Sequence, residues 1–304
     1  MIEQRLILGN ALSEFPKLES ETFDLIVADP PYNLGKNYGN NHDIKGFDEY
    51  LDFTHSWLRE AYRVLKPRGT IYVFMGFRFI AYLYDIMERE LGMFFNSWIV
   101  WHYTQGIGKK RGFSPRHDDI LMFTKSKDFV FNLDDVRVPQ KYYRERNNMR
   151  GANPGDVWEF SHVHYCNANR RNHPTQKPEG LIERLVLASS NEGALVLDPF
   201  LGSGTTLRIC QQLNRYGTGI DINPDYIQIA KERLQSDFSG FDSVDPRMKR
   251  VPLDLRNDSL RHAYLDNHKR WFLNNHIDTI EEFEESVEKV YPKHKHNHDQ
   301  LKLL

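Results

Sequence analysis

The sequence predicts an α/β protein with a twisted, mostly parallel sheet and helices on both faces. Two observations lead to this class. Short apolar runs typical of buried strands alternate with longer segments of helical periodicity, and two of these strands end in turns rich in proline or glycine. The chain has 304 residues, of which 40% are hydrophobic, so it can bury the core of one large domain and still carry extensions.

The first predicted element is a short strand at residues 5–9, with Asn10 at its tip. A second strand at 23–28 is apolar throughout except for Asp24, which is typical of a parallel strand buried on both faces. It ends at the tetrapeptide 29–32, because two successive prolines cannot continue a ladder. In open α/β sheets this carboxyl edge is where ligands bind.

The tetrapeptide itself consists of Asp29, Pro30, Pro31 and Tyr32. The prolines fix φ and remove two backbone donors, so the carbonyls of Asp29 and Pro30 are left to accept from a ligand. A carboxylate, a stiff carbonyl and an aromatic face on one rim suit an exocyclic amine on a planar ring, with the ring stacked on Tyr32. The alternative is a simple turn.

Residues 33–43 are rich in Gly and Asn and predict a loop beside this site. Beyond it, apolar periodicity predicts a helix with Trp57 in the core. The elements that follow should complete the sheet beside the strand 23–28. In order, the predicted elements are a helix at 48–65, a strand at 70–74, a helix at 77–91 and strands at 96–101 and 120–123.

Residues 194–206 predict another buried strand, which runs into a glycine turn and a helix. Gly202 and Gly204 allow the backbone to approach a ligand closely. Leu207 stands where the third glycine of a dinucleotide site belongs, and no Lys follows the glycines as in a phosphate-binding P-loop. Because both phosphate-binding signatures are missing from this stretch, the favoured ligand is a nucleoside with a charged amino-acid tail.

A further strand at 216–221 ends in Asp221, about twenty residues after the glycine turn, where a carboxylate commonly binds ribose hydroxyls. Asp198 is placed to take an ammonium group and Phe200 to cover an adenine. Helices are expected at 178–190 and 224–234.

These motifs resemble those of the amino-group DNA methyltransferases that use S-adenosylmethionine. The family's catalytic motif, (Asp/Asn/Ser)-Pro-Pro-(Tyr/Phe/Trp), is matched by 29–32, and its cofactor motif, Phe-x-Gly-x-Gly, by 200–204. The catalytic motif comes first, and His-Pro-Thr-Gln-Lys-Pro at 173–178 resembles the family's helix-opening segment. The order therefore resembles the β class, over about residues 5–235.

The resemblance implies a Rossmann-like S-adenosylmethionine-dependent methyltransferase fold with a circularly permuted motif order. It implies a site-specific enzyme that methylates N6 of a flipped-out adenine in double-stranded DNA, as in restriction-modification systems. The implied domains are a catalytic half at 1–125, a target-recognition insert at 126–172, a cofactor-binding half at 173–235, and a linker with a C-terminal helical extension at 236–304.

The resemblance also implies site residues. Asn10 departs from the family, which commonly has an Asp there that bonds the adenine; its amide fits that role, and a turn-closing cap fits equally. Lys177 supplies a charge for the cofactor's carboxylate. The catalytic set is the tetrapeptide, and the cofactor set is Asn10, Asp29, Thr175, Lys177, Asp198, Phe200, Leu201, Gly202, Ser203, Gly204, Thr205 and Asp221.

The net charge of −2 does not indicate a strongly basic protein, but the charges are unevenly distributed. Residues 101–171 contain 13 Lys and Arg against 8 Asp and Glu, so DNA phosphates are expected along this stretch. Solvated loops are the alternative. The candidate DNA contacts are Lys36, Lys109, Lys110, Arg111, Arg116, Lys141, Arg144, Arg146, Arg150, Arg170 and Arg171.

Rival functions are N4-cytosine methylation, for which the family's usual first residue is Ser, an RNA methyltransferase, and a recognition subunit that has lost a motif.

An amphipathic helix at 278–290 suits docking on its own domain or in a homodimer, and the histidines at 294–298 are expected in a solvated tail without metal. Two cysteines and no long apolar run indicate a reduced, cytoplasmic protein without a membrane span. A companion restriction endonuclease is the other expected partner.

Overall fold

The computed structural model describes residues 2–34, 45–103, 108–138, 151–161 and 176–236. The chain divides into two compact units. One comprises Met1–Leu133 with Gly155–Val244, and the other comprises Asp134–Pro154 with Asp245–Leu304. Within the described ranges, no helix has the length and apolar character needed to cross a membrane.

The first unit is built on an eight-stranded sheet in the order β1-β8-β7-β2-β3-β5-β4-β6. Only β5 runs against its neighbours β3 and β4, so the predicted mostly parallel sheet is confirmed. The strands are β1 Arg5–Leu8, β2 Phe23–Ala28, β3 Leu65–Met75, β4 Phe94–His102, β5 His117–Thr124, β6 Val157–Glu159, β7 Leu195–Asp198 and β8 Tyr216–Asp221.

The helices predicted within the described residues are present, whereas the short helices at 11–14 and 133–136 were not predicted. The predicted helix at 77–91 is present from residue 80 and is continued by a π-helical turn, Ile86–Glu90. The helices are α1 Ala11–Glu14 with a 3₁₀ turn after it, α2 Phe47–Val64, α3 Ile80–Asp85, α4 Leu133–Val136, α5 Glu179–Ser189, α6 Thr205–Gln212 and α7 Pro224–Gln235.

Two strands differ from expectation. Strand β3 begins at Leu65, directly after α2, whereas the predicted strand began at residue 70. A register shift opposite Phe23 and Leu25 accommodates the irregular start. Strand β6 was not predicted, since three residues are too few to show a period, and it lies within the stretch assigned to the recognition insert. It pairs in parallel with β4 at the edge of the sheet.

The core lies around the central strands β2 and β3. Every residue of β2 except Asp24 is buried, as expected for a strand with neighbours on both sides. Trp57 of α2 is fully buried, which confirms its predicted place in the core. All eleven residues of α5 are buried, including Glu179 and Arg184, so this helix packs inside the unit.

Sheet order decides what the strand ends share. Strands β1, β8, β7, β2 and β3 are adjacent and parallel, so their carboxyl ends lie at one edge. That edge carries Asn10, Asp221, Asp198, Asp29 and Gly76, the residues at or just after the ends of these five strands. The two motifs found in the sequence therefore face each other across neighbouring strands.

The second unit is described only in part. Arg137 forms an ion pair with Asp134 at 2.6 Å and donates to the carbonyl of Gly151 at 2.9 Å. Val138 and Ala152 form an isolated antiparallel bridge. The predicted linker, the helix at 278–290 and the histidine tail lie outside the described residues.

Candidate active site

The carboxylate of Asp29 has two unequal oxygens. Oδ2 accepts a hydrogen bond from the ammonium group of Lys177 at 2.5 Å. Oδ1 is buried and, among the described residues, has no hydrogen-bond partner. A buried acceptor without a partner is costly, so native proteins keep one mainly where a ligand or water satisfies it. One oxygen of Asp29 is therefore held by the protein, and the other is available to a bound group.

The tetrapeptide is supported from behind by α2. The hydroxyl of Tyr50, which is buried, donates to the carbonyl of Pro31 at 2.7 Å. Its ring packs on Phe79 with centroids 4.4 Å apart. This bond could not be predicted from the sequence, because a contact across nineteen residues leaves no local signal.

The loop after Tyr32 is closed at its base. The side chain of Asn33 accepts from the backbone N–H of Lys45 at 2.6 Å and donates to the carbonyl of Lys45 at 3.1 Å. Asn33 has φ of 56°, in the left-handed region that Asn tolerates better than most residues. This pair of bonds fixes where the loop leaves and re-enters the site.

The cofactor loop after β7 depends on its glycines. Gly202 and Gly204 have φ of 51° and 78°, which L side chains rarely adopt. A Cβ on Gly204 would lie 2.6 Å from the Cβ of Ala230 in α7. The backbone N–H of Gly202 donates to Oδ2 of Asp221 at 2.8 Å. The loop is thus drawn against α7 and tied to the end of β8.

Carboxylates converge on this edge from adjacent strands. Burial is the main cause that raises the pKa of Asp198 to about 7, and the charges of Asp29 and Asp221 raise it further. Burial also raises the pKa of Asp221, whose Oδ1 accepts from the N–H of Asn223 at 2.8 Å. Buried negative charges in proximity favour a cationic ligand. This group of carboxylates therefore fits S-adenosylmethionine, which carries a sulfonium and an ammonium group.

A buried arginine organises the start of α6. Arg233 donates through Nη1 to the carbonyl and hydroxyl of Ser203 at 2.8 and 3.2 Å and to the hydroxyl of Thr205 at 3.0 Å. Its Nη2 donates to Glu179 at 2.7 Å. The side chain of Leu201 packs in the core with Leu207 and Ala230. The side chains of Leu201, Ser203 and Thr205, which belong to the predicted cofactor set, therefore contact other protein groups, and the backbone of the loop is left to face a ligand.

Two further candidates have structural surroundings of their own. Asn10 caps α1, with its Oδ1 accepting from the N–H of Leu12 at 3.0 Å, as in the turn-closing interpretation. The ring of Phe200 is half-buried and meets Trp57 edge-on, with centroids 5.3 Å apart. The ring of Phe200 is therefore held on one side by a core residue.

The predicted basic loop lies at the same edge as the tetrapeptide. Strand β5 is antiparallel to β3, with Met75 opposite Asp119, so the β4–β5 connection returns to the carboxyl end of β3. The ammonium group of Lys109 lies 5.8 Å from the ring centroid of Phe77. A Cβ on Gly76, next to Phe77, would be 3.6 Å from the ring of Tyr32.

The charges on this loop are open to solvent. Lys109, Lys110 and Arg111 are exposed, whereas Arg116 is half-buried and donates to the carbonyl of Pro115 at 3.0 Å. Phe113 is 99% exposed. The other candidates lie outside the described residues; they are Lys36, Lys141, Arg144, Arg146, Arg150, Arg170, Arg171 and Thr175.

Comparison with known proteins agrees with this site. A family model described as DNA methylase matches residues 23–232. The type II methyltransferase M.HpaI of Haemophilus parainfluenzae is 62% identical over all of this chain and 96% of its own length. The DNA adenine methyltransferase YhdJ of Escherichia coli K12 is 38% identical over 75% of this chain and 82% of its own length.

Among solved structures, TTHA0409 of Thermus thermophilus in complex with S-adenosyl-L-methionine is similar, with a TM-score of 0.56 and 26% identity. The match covers 76% of this chain and 95% of that one. The region matched by the family model spans the tetrapeptide 29–32, the glycine loop after β7 and the strands that carry them. The chain therefore belongs to the DNA methylase family, and it is a DNA methyltransferase that uses S-adenosylmethionine.

Proposed function

We propose that this methyltransferase modifies N6 of an adenine that has been flipped out of duplex DNA, as the modification enzyme of a restriction-modification system. The observation that carries the proposal is the buried Oδ1 of Asp29, which lacks a partner within the described ranges and lies on the rim with Tyr32. An exocyclic amine of a base offers the donors that this rim needs, and the base offers a flat face for the tyrosine ring.

The chain's own groups position the amine. Oδ1 of Asp29 accepts a hydrogen bond from one N–H of the amine, and the carbonyl of Pro30 accepts one from the other N–H. These two bonds draw the nitrogen towards tetrahedral geometry and free its lone pair. Bound S-adenosylmethionine supplies an electrophilic methyl group on a cationic sulfur. The support of Pro31 by Tyr50 keeps the two acceptors at a fixed spacing. Catalysis then depends on positioning and on the exclusion of water rather than on a strong base.

Adenine is favoured over cytosine by the first residue of the tetrapeptide. In the family this chain resembles, N4-cytosine enzymes usually have Ser there, whereas this chain has Asp29. The relative YhdJ is named a DNA adenine methyltransferase. The carboxylate of an Asp carries a full negative charge, so it accepts a stronger hydrogen bond from an amine than the hydroxyl of a Ser does.

The target base must leave the stack, because its amine is otherwise paired and out of reach. Flipping costs a few kcal/mol, which stacking and hydrogen bonds in the pocket offset. The exposed cations of the β4–β5 connection lie at the catalytic edge and suit contacts to phosphates on either side of the flipped base. The stretch 126–172 is the proposed target-recognition segment, and 1–125 with 173–235 are the two halves that it joins.

Two partners belong to the proposal. The relative M.HpaI is named a type II methyltransferase, so a restriction endonuclease of the same specificity is the expected companion, without a stable complex. A second copy of the chain is a further expected partner, with the C-terminal extension as the docking element. Since the substrate is DNA, the enzyme is expected to act in the cytoplasm.

The experiment that tests the proposal is methylation of plasmid DNA with labelled S-adenosylmethionine, followed by digestion to nucleosides. We expect the label in N6-methyladenine, at one recurrent sequence when the sites are mapped. Label in N4-methylcytosine would contradict the choice of base, and label in RNA but not in DNA would contradict the choice of polymer.

A further inference from the structure

The side chain of Lys177 lies among the residues proposed for catalysis. We call Asp29, Pro30 and Tyr32 the catalytic rim. Its ammonium group is within 6 Å of three ring centroids, at 5.4 Å from Tyr32, 5.3 Å from Phe74 and 5.9 Å from Trp101. The side chain is 9% exposed, and Phe74 and Trp101 are fully buried. The carboxylate of Asp29 completes the enclosure.

Such an enclosure has an energetic logic. Burying an ammonium group costs several kcal/mol unless opposite charge and electron-rich groups compensate. The ion pair with Asp29 and the faces of three aromatic rings provide that compensation. A lysine held on all these sides has little freedom to turn away, so the oxygen of Asp29 that it contacts is held as well.

The consequence for Asp29 is geometric. A carboxylate on a short side chain rotates about its terminal bond unless one oxygen is fixed. With Oδ2 bonded to Lys177, Oδ1 has a defined direction, and it is Oδ1 that is buried without a partner within the described residues. The lysine thereby turns a rotating acceptor into an oriented one.

We infer that Lys177 is a positioning residue for methyl transfer, which fixes the carboxylate of Asp29 towards the target amine; this inference rests on the proposed function. The residues are 148 apart in sequence and belong to the two halves of the methyltransferase domain. Lys177 therefore couples the segment ahead of α5 to the catalytic strand β2. This role differs from the one that the family resemblance implies, in which Lys177 supplies a charge for the cofactor's carboxylate.

The test is Lys177→Met, which keeps the length of the side chain and removes its charge. With enzyme in excess over plasmid DNA, and with saturating labelled cofactor, we expect the single-turnover rate to fall about 10- to 100-fold, as for a misplaced reacting group. Cofactor affinity measured by calorimetry should stay close to that of the wild type. The loss of the ion pair should lower the melting temperature, so circular dichroism at the assay temperature is used to check that the variant is folded.

Lys125→Met is the matched control. Lys125 is also largely buried, pairs with Glu21 at 3.2 Å and lies 4.8 Å from the ring centroid of Tyr62. It follows β5 at the opposite edge of the sheet from Asp29, next to Gly69, whose carbonyl accepts from its backbone N–H. We expect this variant to transfer methyl groups within about twofold of the wild-type rate.

A Lys177→Met rate within about threefold of wild type at saturating cofactor would overturn the inference, and so would an equal loss in Lys125→Met. A variant impaired only in cofactor affinity would reassign Lys177 to the cofactor. The wild type in the same assay separates this inference from the proposed function: if its label appears on cytosine, the proposed base is wrong, while the comparison of the two lysine variants still decides the role of Lys177.

Discussion

The two loops that form the site lie at the same sheet edge but are built in opposite ways. In the loop after β7, polar groups are satisfied by the protein: Asp221 accepts from Gly202, and Arg233 donates to Ser203 and Thr205. In the loop after β2, two prolines remove donors and Oδ1 of Asp29 has no partner among the described residues.

The difference separates two kinds of binding. The cofactor loop is organised in advance by buried charges, so it can bind through its backbone with little rearrangement. The rim at Asp29 is stiff but incomplete, and we propose that the group to be methylated completes it. Changes in the first loop should therefore affect cofactor affinity, and changes in the second should affect the rate of methyl transfer.

The largest effect is expected for Asp29→Ala, which removes the acceptor from the rim. We expect single-turnover methyl transfer to fall at least about 100-fold, the effect of losing one preorganised hydrogen-bonding group. Binding of DNA, measured by titration, should change little, because other residues supply most of those contacts. Transfer near the wild-type rate would refute the assignment of Asp29.

A second substitution probes the other loop. In Gly204→Ala the new Cβ would lie 2.6 Å from the Cβ of Ala230, at φ of 78°. We expect cofactor affinity to fall about tenfold or more, with backbone strain of about 1–2 kcal/mol as one cause. The matched control is Gly193→Ala, which has the same φ but no atom within 4 Å of the added Cβ.

Calorimetric titration of the two glycine variants with S-adenosylmethionine compares a glycine after β7, in the cofactor loop, with one before β7 at the opposite edge of the sheet. We expect Gly193→Ala to bind the cofactor as the wild type does, although it shares the strained backbone. Equal affinities for both variants would show that close packing against α7 is not what shapes the cofactor loop.

The pH dependence of cofactor affinity tests the carboxylates at this edge. Asp198 has a pKa of about 7 because it is buried, with Asp29 and Asp221 adding to the shift. A cationic ligand favours the ionised form, so affinity should rise as pH increases through 7 and level off above it. Between pH 6 and pH 8 the ionised fraction grows about tenfold, and affinity should follow.

Asp198→Asn is the control for this titration, since pH effects from other groups, including the cofactor's own amino group, persist in it. We expect its affinity to show a smaller rise over the same range. An identical rise in both proteins would remove Asp198 from the binding of the cation.

Much of the site could be predicted because its parts are local. The strand 23–28 ends shortly before its prolines and the strand 195–198 ends shortly before its glycines, so each motif indicated its own place at the carboxyl edge. Trp57 was predicted in the core from helical spacing alone. These features need only neighbours in sequence.

What was not predicted depends on packing between distant segments. The pairing of Lys177 with Asp29, the bond from Tyr50 to Pro31 and the contacts of Arg233 with the cofactor loop join residues separated by 19 to 148 positions. Strand β6 was missed because an edge strand of three residues has no measurable alternation. Neither periodicity nor motif spacing carries such information.

The smallest effect on catalysis is expected from the basic loop. Replacing Lys109, Lys110 and Arg111 with Ala should weaken binding of cognate and random duplexes alike and leave the rate at saturating DNA unchanged, because phosphate contacts carry no sequence information. Each cation that no longer neutralises a phosphate should lower the slope of log affinity against log salt by about 0.9. Lys127→Ala, an exposed cation at the opposite edge, is the control. A defect confined to cognate DNA would instead indicate base readout.

In the proposed mechanism, a flipped base fills the catalytic rim. The most direct test is to measure the binding of Tyr32→Phe and Tyr32→Ala to intact duplex and to duplex with an abasic target position. If the flipped adenine stacks on Tyr32, the Ala variant should lose about 5- to 150-fold in affinity for intact DNA, and the Phe variant much less, because it keeps the ring. On abasic DNA the defect of the Ala variant should largely disappear, since no base remains to be covered. Equal impairment of both variants, or an Ala defect that is undiminished on abasic DNA, would contradict the account.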